Sequence, residues 1–233
     1  CQVEWSLPLP IVQPVPIWRC LPFLLCLFGW FLPVVPGTSY VTVGGAIAND
    51  IHGKNHHKVG SFGNFVDEIH LLRSNGEKLV CTRKNNNDYF KATIGGLGLT
   101  GLITKAKLKL LKINNEFITT QTVRYHSLED FFCINDEMEI SNEYTVSWVD
   151  IGFDNSDNIR GVYLAGNHSK NADYSPKKLR SSREINFKIP FPPYICLVNN
   201  FTINILNNSY YFLNKNTKEG IQHYRNYFFP LDI

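Results

Sequence analysis

The densest chemistry in the chain lies in one run, Val41-Thr42-Val43-Gly44-Gly45-Ala46-Ile47-Ala48-Asn49-Asp50-Ile51-His52-Gly53-Lys54-Asn55-His56-His57, preceded by Pro36-Gly37-Thr38. Small residues fill its first half. Glycine, lacking Cβ, lets main chain approach a ligand closely and adopt positive φ, so that exposed N–H groups can point at phosphate or at a ring edge. A lone Gly-Gly pair reads as a tight turn beside a buried strand, but the density of small residues here points to a ligand cradle. In the second half, His52 and Lys54 suit contact with a cofactor or an anionic substrate, Lys54 as a point charge for phosphate, although a loop lysine is as readily a solvated one. A metal site built from Asp50, His52, His56 and His57 would need ligands at close spacing on a rigid element. The His-Glu-x-x-His helical pattern is absent and Gly53 and Gly60 work against a rigid helix, so no metal is expected.

A second constellation, Thr93-Ile94-Gly95-Gly96-Leu97-Gly98-Leu99-Thr100-Gly101, superficially resembles a dinucleotide fingerprint. An alternating strand follows it where the Rossmann context requires a helix. A P-loop is excluded too, since the chain has no Gly-Lys-Ser or Gly-Lys-Thr. Any nucleotide must be held in another way.

The elements that must position these residues are read from period and turn chemistry. Ile69–Leu72 and Lys78–Cys81 flank Asn75-Gly76 and predict a hairpin over residues 68–82. From Leu102, alternation puts Lys105, Lys107 and Lys109 on one face and Ala106, Leu108 and Leu110 on the other, a half-buried strand. Further on, Tyr144–Ile151 and Ile195–Ile205 are expected as strands, Leu128–Glu139 as a short helix and Asn167–Ser182 as a polar loop. The fold class is α+β.

Composition narrows the function classes. Of 233 residues, 44% are hydrophobic and 18% charged, an ordinary globular mixture able to bury a core. The net charge of +3 is spread without a block of like charge, so nucleic acid is not an expected partner. The six cysteines show neither a CxxC pair nor regular spacing and are read as free thiols. Eleven of the sixteen glycines fall between Gly37 and Gly101, which concentrates the chemistry early. Residues 1–28 form an atypical proline-rich apolar segment: seven of the twelve prolines lie before Gly37, and Pro22 and Pro33 interrupt the apolar run from Leu21 to Val35. Prolines inside such a run disfavour a membrane span, and the start lacks the pattern of a signal peptide. The compartment stays open between cytoplasm and membrane surface.

The segments Thr42–His57, Gly60-Ser-Phe-Gly-Asn and Ala92-Thr-Ile-Gly-Gly-Leu-Gly-Leu-Thr-Gly resemble the FAD domain of the decaprenylphosphoryl-ribose 2′-oxidase family, within the vanillyl-alcohol-oxidase or PCMH-type flavoproteins. The resemblance is strongest from about residue 29 to 111 and continues to Phe-Phe-Pro-Leu-Asp near the C-terminus. It implies part of a PCMH-type FAD-binding domain over residues 29–115, followed by part of a substrate, or cap, domain over residues 116–233. It also implies FAD held around Gly37, Thr42, Val43, Gly44, Gly45, Asn49, Asp50, Ile51 and His52, with Ile103 beside the cofactor. His52, Gly53, Lys54 and Trp148 would line the sugar side.

The activity this implies is hydride transfer from a sugar hydroxyl carbon to flavin N5, on a phosphorylated lipid-linked sugar, with a short-chain dehydrogenase partner that reduces the keto sugar. A sugar-1,4-lactone or polyol oxidase of the same superfamily is the alternative, and an inactive truncated product is another. Three departures from the family pattern stand out. Asn49 occupies a position where a well-known family member has cysteine. Residues 1–28 do not match the family's Gly-Arg-Ser-Tyr-Gly-Asp type pyrophosphate loop. The family's catalytic lysine and flavin-contacting tyrosine would follow Ile233. The chain is therefore expected to be a fragment, and no catalytic residue is assigned.

Overall fold

Alternating apolar residues and one glycine turn build the first sheet. In the computed structural model, which describes residues 3–6, 9–12, 26, 28–151, 159–170, 199–230 and 232, the chain divides into two compact units, Cys1–Glu116 with Phe228–Asp232, and Phe117–Tyr227. The first unit contains β1 (Val3–Ser6), β2 (Leu9–Val12), β3 (Trp30–Phe31), α1 (Val43–Ala48), α2 (His56–Val59), β4 (Val66–Leu72), β5 (Lys78–Thr82), α3 (Asn87–Thr93), β6 (Leu102–Leu108) and β7 (Leu111–Lys112). Its main sheet runs β1-β2-β6-β4-β5, and every neighbouring pair is antiparallel.

The predicted hairpin is β4–β5, in register from Glu68 opposite Thr82 to Leu72 opposite Lys78. Gly76 turns the chain at φ +84°, a value that glycine reaches without steric cost. The predicted alternating strand is β6, which buries Ala106 and Leu108 and leaves Lys109, just past its end, exposed. The helices α1 and α3 were not foreseen. Two glycines in a six-residue helix each cost up to about 1 kcal/mol relative to alanine, so propensity argues against α1. Burial of Val43, Ala46, Ile47 and Ala48 outweighs it.

The second unit contains β8 (Phe117–Tyr125), α4 (Leu128–Ser141), β9 (Tyr144–Asp150), β10 (Arg160–His168), α5 (Asn200–Leu213) and β11 (Thr217–His223). Its antiparallel sheet runs β11-β8-β10-β9. The predicted helix at 128–139 is α4, started by Ser127, whose hydroxyl accepts the Asp130 N–H at 3.0 Å. Phe131, Ile134 and Met138 share one stripe and pack on Tyr125, Tyr163 and Ala165 of the sheet. The expected strand Tyr144–Ile151 is β9.

The expected strand Ile195–Ile205 is a correction: residues 200–205 are the start of α5, and residues 195–198 lie outside the described part. Asn199 accepts the N–H groups of Phe201 and Thr202, and Thr202 Oγ accepts the Asn199 N–H, so a capping box starts a helix where an apolar pattern suggested a strand. The expected loop Asn167–Ser182 begins two residues later than read, since Asn167 and His168 still pair with Thr119 and Ile118. Its residues 171–182 lie outside the described part, as does most of the proline-rich segment 1–28.

Helix α5 is fixed by polar groups. Asp150 and Arg160 are 2% and 4% exposed, and Arg160 donates to one Asp150 oxygen from Nε at 3.0 Å and from Nη at 2.8 Å. Asn207 donates to the other Asp150 oxygen at 2.8 Å, and Arg160 donates to Asn208 at 2.8 Å. The guanidinium also lies 4.7 Å from the Tyr211 ring centre. A buried ion pair is tolerable only when its hydrogen-bonding capacity is met in this way. Among the described residues no helix is long and apolar enough to cross a membrane, and Cys26, Cys81 and Cys133 are free thiols. Both units are mixtures of antiparallel sheet and packed helix, which makes the fold α+β. Asp150→Ala strands a buried guanidinium and is expected to lower stability by about 3–5 kcal/mol in urea unfolding followed by circular dichroism.

Candidate functional site

The two glycine-rich constellations meet in the first unit. At the start of α1, Thr42 Oγ accepts the Gly45 N–H at 3.0 Å. At its end the N–H groups of Asn49, Asp50 and Ile51 turn back onto the carbonyls of Gly45, Ile47 and Ala46. The second segment completes the closure, with Gly95 N–H on Ile47 O at 3.0 Å and Leu97 N–H on Ala48 O at 2.8 Å. Helix ends leave carbonyls without intrahelical partners, and here a glycine loop supplies the donors. Gly95 reaches its position at φ +72°.

Around this junction the predicted residues take different parts. Gly37 is exposed, and a Cβ placed on it would meet nothing within 4 Å. Gly44 faces Ile103 on β6, since a Cβ on Gly44 would lie 3.8 Å from the Ile103 Cβ. Thr42 and Gly45 belong to the α1 cap, and Val43 points into the core. Asn49 is exposed and its amide returns to Gly45 O at 2.9 Å. Asp50, in the left-handed region at φ +43°, accepts from Ser61 Oγ at 2.8 Å and from the Gly63 N–H at 2.7 Å. Its carboxylate and the Asn49–Ile51 N–H groups thus close the scaffold.

Gly53 is also scaffold. A Cβ there would approach Val35 O to 2.8 Å, and beside it the fully buried Asn55 donates to Pro33 O at 2.7 Å. His52 is exposed and lies edge-on to His56, ring centres 5.6 Å apart. Among the described residues no three His, Cys, Asp or Glu side chains gather as a metal site. Trp148 belongs to the second unit, where its ring packs on Tyr210 of α5 at 4.8 Å.

Lys54 differs from a solvated loop lysine. It is half-buried, its ammonium lies 5.8 Å from the Phe228 ring centre, and burial pushes its pKa down to about 8. Phe228 in turn packs on Phe31 at 5.6 Å. Sequence reading missed Phe228 and Asp232. Asp232 accepts the Thr38 hydroxyl at 2.7 Å and the Ser39 N–H, across 194 residues of sequence. The signal was faint: the Phe-Phe-Pro-Leu-Asp motif marked family resemblance but not what it touches.

Comparison with known proteins assigns this arrangement. Residues 20–82 match the family model described as an FAD binding domain. The chain is similar to decaprenylphosphoryl-β-D-ribose oxidase of Mycolicibacterium smegmatis, 34% identical over 215 residues, covering 88% of this chain and 46% of that protein. The chain carries an FAD-binding domain and resembles this oxidase over most of its own length. An uncharacterised protein of Streptomyces coelicolor is 33% identical over 165 residues, 71% of this chain and 44% of its own length. The human Δ24-sterol reductase is 30% identical over 100 residues, 43% of this chain and 19% of the reductase. The chain thus spans about half the length of the two relatives it matches most extensively.

FAD is the cofactor of such a domain, and the residues present fit it. At residues expected to hold it, Gly37 has open space beside it, Gly44 faces the apolar Ile103 and Lys54 is a half-buried cation, features compatible with a dinucleotide. The Lys54 pKa carries a stability signature. Its folded value of about 8 lies below the ordinary 10.5, so between these pH values the unfolded chain binds the extra proton and stability rises with pH. Urea unfolding from pH 7.5 to 10 should show this rise, and Lys54→Met should flatten it.

Proposed function

We propose that this chain is the cofactor-holding part, with part of the substrate domain, of an FAD-dependent oxidoreductase that oxidises a hydroxyl of a phosphorylated, lipid-linked sugar. The observation that carries this reading is the reach of the similarity. The ribose-oxidase match extends over 88% of the chain, while the sterol-reductase match covers 43%. When bound, FAD would supply the hydride acceptor for oxidation of the carbon bearing the hydroxyl.

The chain's own residues then have defined tasks. Gly37 and the capped start of α1 let main chain lie against the cofactor, with Asn49, Asp50 and Ile51 holding the far end of that helix in place. Ile103 gives the ring an apolar flank that excludes water. His52 and Lys54 present polar and cationic groups to the substrate side, where the Lys54 ammonium pairs with a phosphate group more weakly as pH rises. Gly53 admits the close passage of the Val35 main chain that holds this loop. The keto sugar formed is a substrate for reduction by an enzyme of the short-chain dehydrogenase class.

The test is the visible spectrum of the purified chain after incubation with FAD and desalting, followed by anaerobic addition of a phosphoribosyl lipid or an aldonolactone. Retained flavin bands that bleach with the phosphoribosyl lipid support the reading. Bleaching by the lactone alone moves the substrate class to that alternative, and a colourless chain removes cofactor binding by these residues. Gly37→Val, which meets nothing in the fold, is expected to weaken FAD binding at least about tenfold, or ~1.4 kcal/mol, in fluorescence titration while leaving the apo-protein melting temperature unchanged.

A further inference from the structure

After traversing the second unit the chain returns to the first at Phe228–Asp232, where it contacts residues of the proposed cofactor cradle. On one side Phe228, fully buried, packs on Phe31 and lies beneath the Lys54 ammonium. On the other, Asp232 grips the loop that follows Gly37: one oxygen accepts the Thr38 hydroxyl at 2.7 Å and the other accepts the N–H of buried Ser39. Thr38 Oγ also accepts the Tyr40 N–H at 3.3 Å. A single carboxylate therefore organises three consecutive residues between Gly37 and the α1 cap at Thr42.

Charge strengthens these bonds. A carboxylate acceptor makes hydrogen bonds roughly twice as strong as a neutral one, and two bonds through two different oxygens fix orientation as well as distance. The loop is short, with Gly37 next to Thr38 and Thr42 two residues beyond Tyr40. Little slack is left between the gripped residues and the atoms that would face the cofactor.

We propose that Asp232 is a positioning residue for the cofactor loop, holding Thr38 and Ser39 so that Gly37 and the start of α1 are preset for FAD. The inference rests on the FAD reading above. Asp232 does not touch the cofactor; it acts by lowering the ordering cost of binding, which is how preorganisation raises affinity.

The test compares Asp232→Ala, Asp232→Asn and Thr38→Val in the whole chain, by FAD fluorescence titration and by amide hydrogen exchange of residues 37–41 in the apo protein. Asp232→Ala should speed exchange at Ser39 and Tyr40 and raise the FAD Kd at least about tenfold. Asp232→Asn, which keeps an acceptor for the Ser39 N–H, should restore part of both. Adding Thr38→Val to Asp232→Ala should cost less than the sum of the two single changes, because both remove the same bond. Wild-type FAD affinity in Asp232→Ala overturns the inference, and so does additive behaviour of the pair. A fall in apo melting temperature with no rescue by asparagine does so as well, because it makes the residue a plain structural brace. If the wild-type chain binds no FAD, the functional reading fails, while unchanged exchange at Ser39 in Asp232→Ala separately sinks the bracing role.

Discussion

The carbonyls of Ile47 and Ala48, at the end of a six-residue helix, accept N–H groups from Gly95 and Leu97, and this junction sets the rest of the first unit. A helix this short is not stable alone, because nucleation is unfavourable and two of its residues are glycine. It persists because one face is buried and its final carbonyls are satisfied by a loop from elsewhere in the chain. The donor segment bends through positive φ at Gly95, which glycine adopts without steric cost, and again at Leu97 to bring its N–H groups against the helix end. The two glycine clusters are thus halves of one structural device. Ile103, two residues past the second cluster, is carried by the same arrangement to face Gly44 of the first.

Much of this was legible in the sequence, and the legible part has a common character. Asn75-Gly76 and the lysine alternation of β6 are local signals whose physics is complete within a few residues, and both predicted elements formed. The two glycine clusters stood out by composition, while the helical form of Val43–Ala48 was hidden. Propensity opposes that helix and only tertiary burial explains it. The misread of Ile195–Ile205 has the complementary cause. Its apolar residues suggested a buried strand, yet the helix docks through Asn207, Asn208 and Tyr211 while Phe201, Leu206 and Leu213 stay exposed. A pattern argument assumes that apolar residues face inward, and here asparagine does.

The site residues separate along the same line. Residue type identified Lys54 as a candidate cation, but its depressed pKa comes from burial in the fold, where the ring of Phe228, far away in sequence, lies 5.8 Å from the ammonium. The resemblance put the Asp50 main chain near the cofactor, and in the fold its carboxylate accepts from Ser61 Oγ and the Gly63 N–H. An acidic residue at positive φ beside a glycine turn is one of the positions that Asp and Asn tolerate, because the short side chain can bond locally. The resemblance put Gly53 on the sugar side of the flavin, and in the fold a Cβ there would meet the Val35 main chain. Which glycine faces a ligand and which accommodates backbone is decided by neighbours that spacing does not name.

The contacts of Phe228 and Asp232 give the cradle a dependence that no local segment reveals. Closing a loop from Thr38 to Asp232 has an entropic cost that grows only slowly with length, so a long excursion through a second unit is thermodynamically tolerable. Kinetically it is different, because contacts of such sequence separation form late. The Gly37 loop therefore acquires its final support only after the second unit has been traversed. A loop held in this way depends on a segment that follows the second unit in sequence. The same segment brings the Phe228 ring to the Lys54 ammonium.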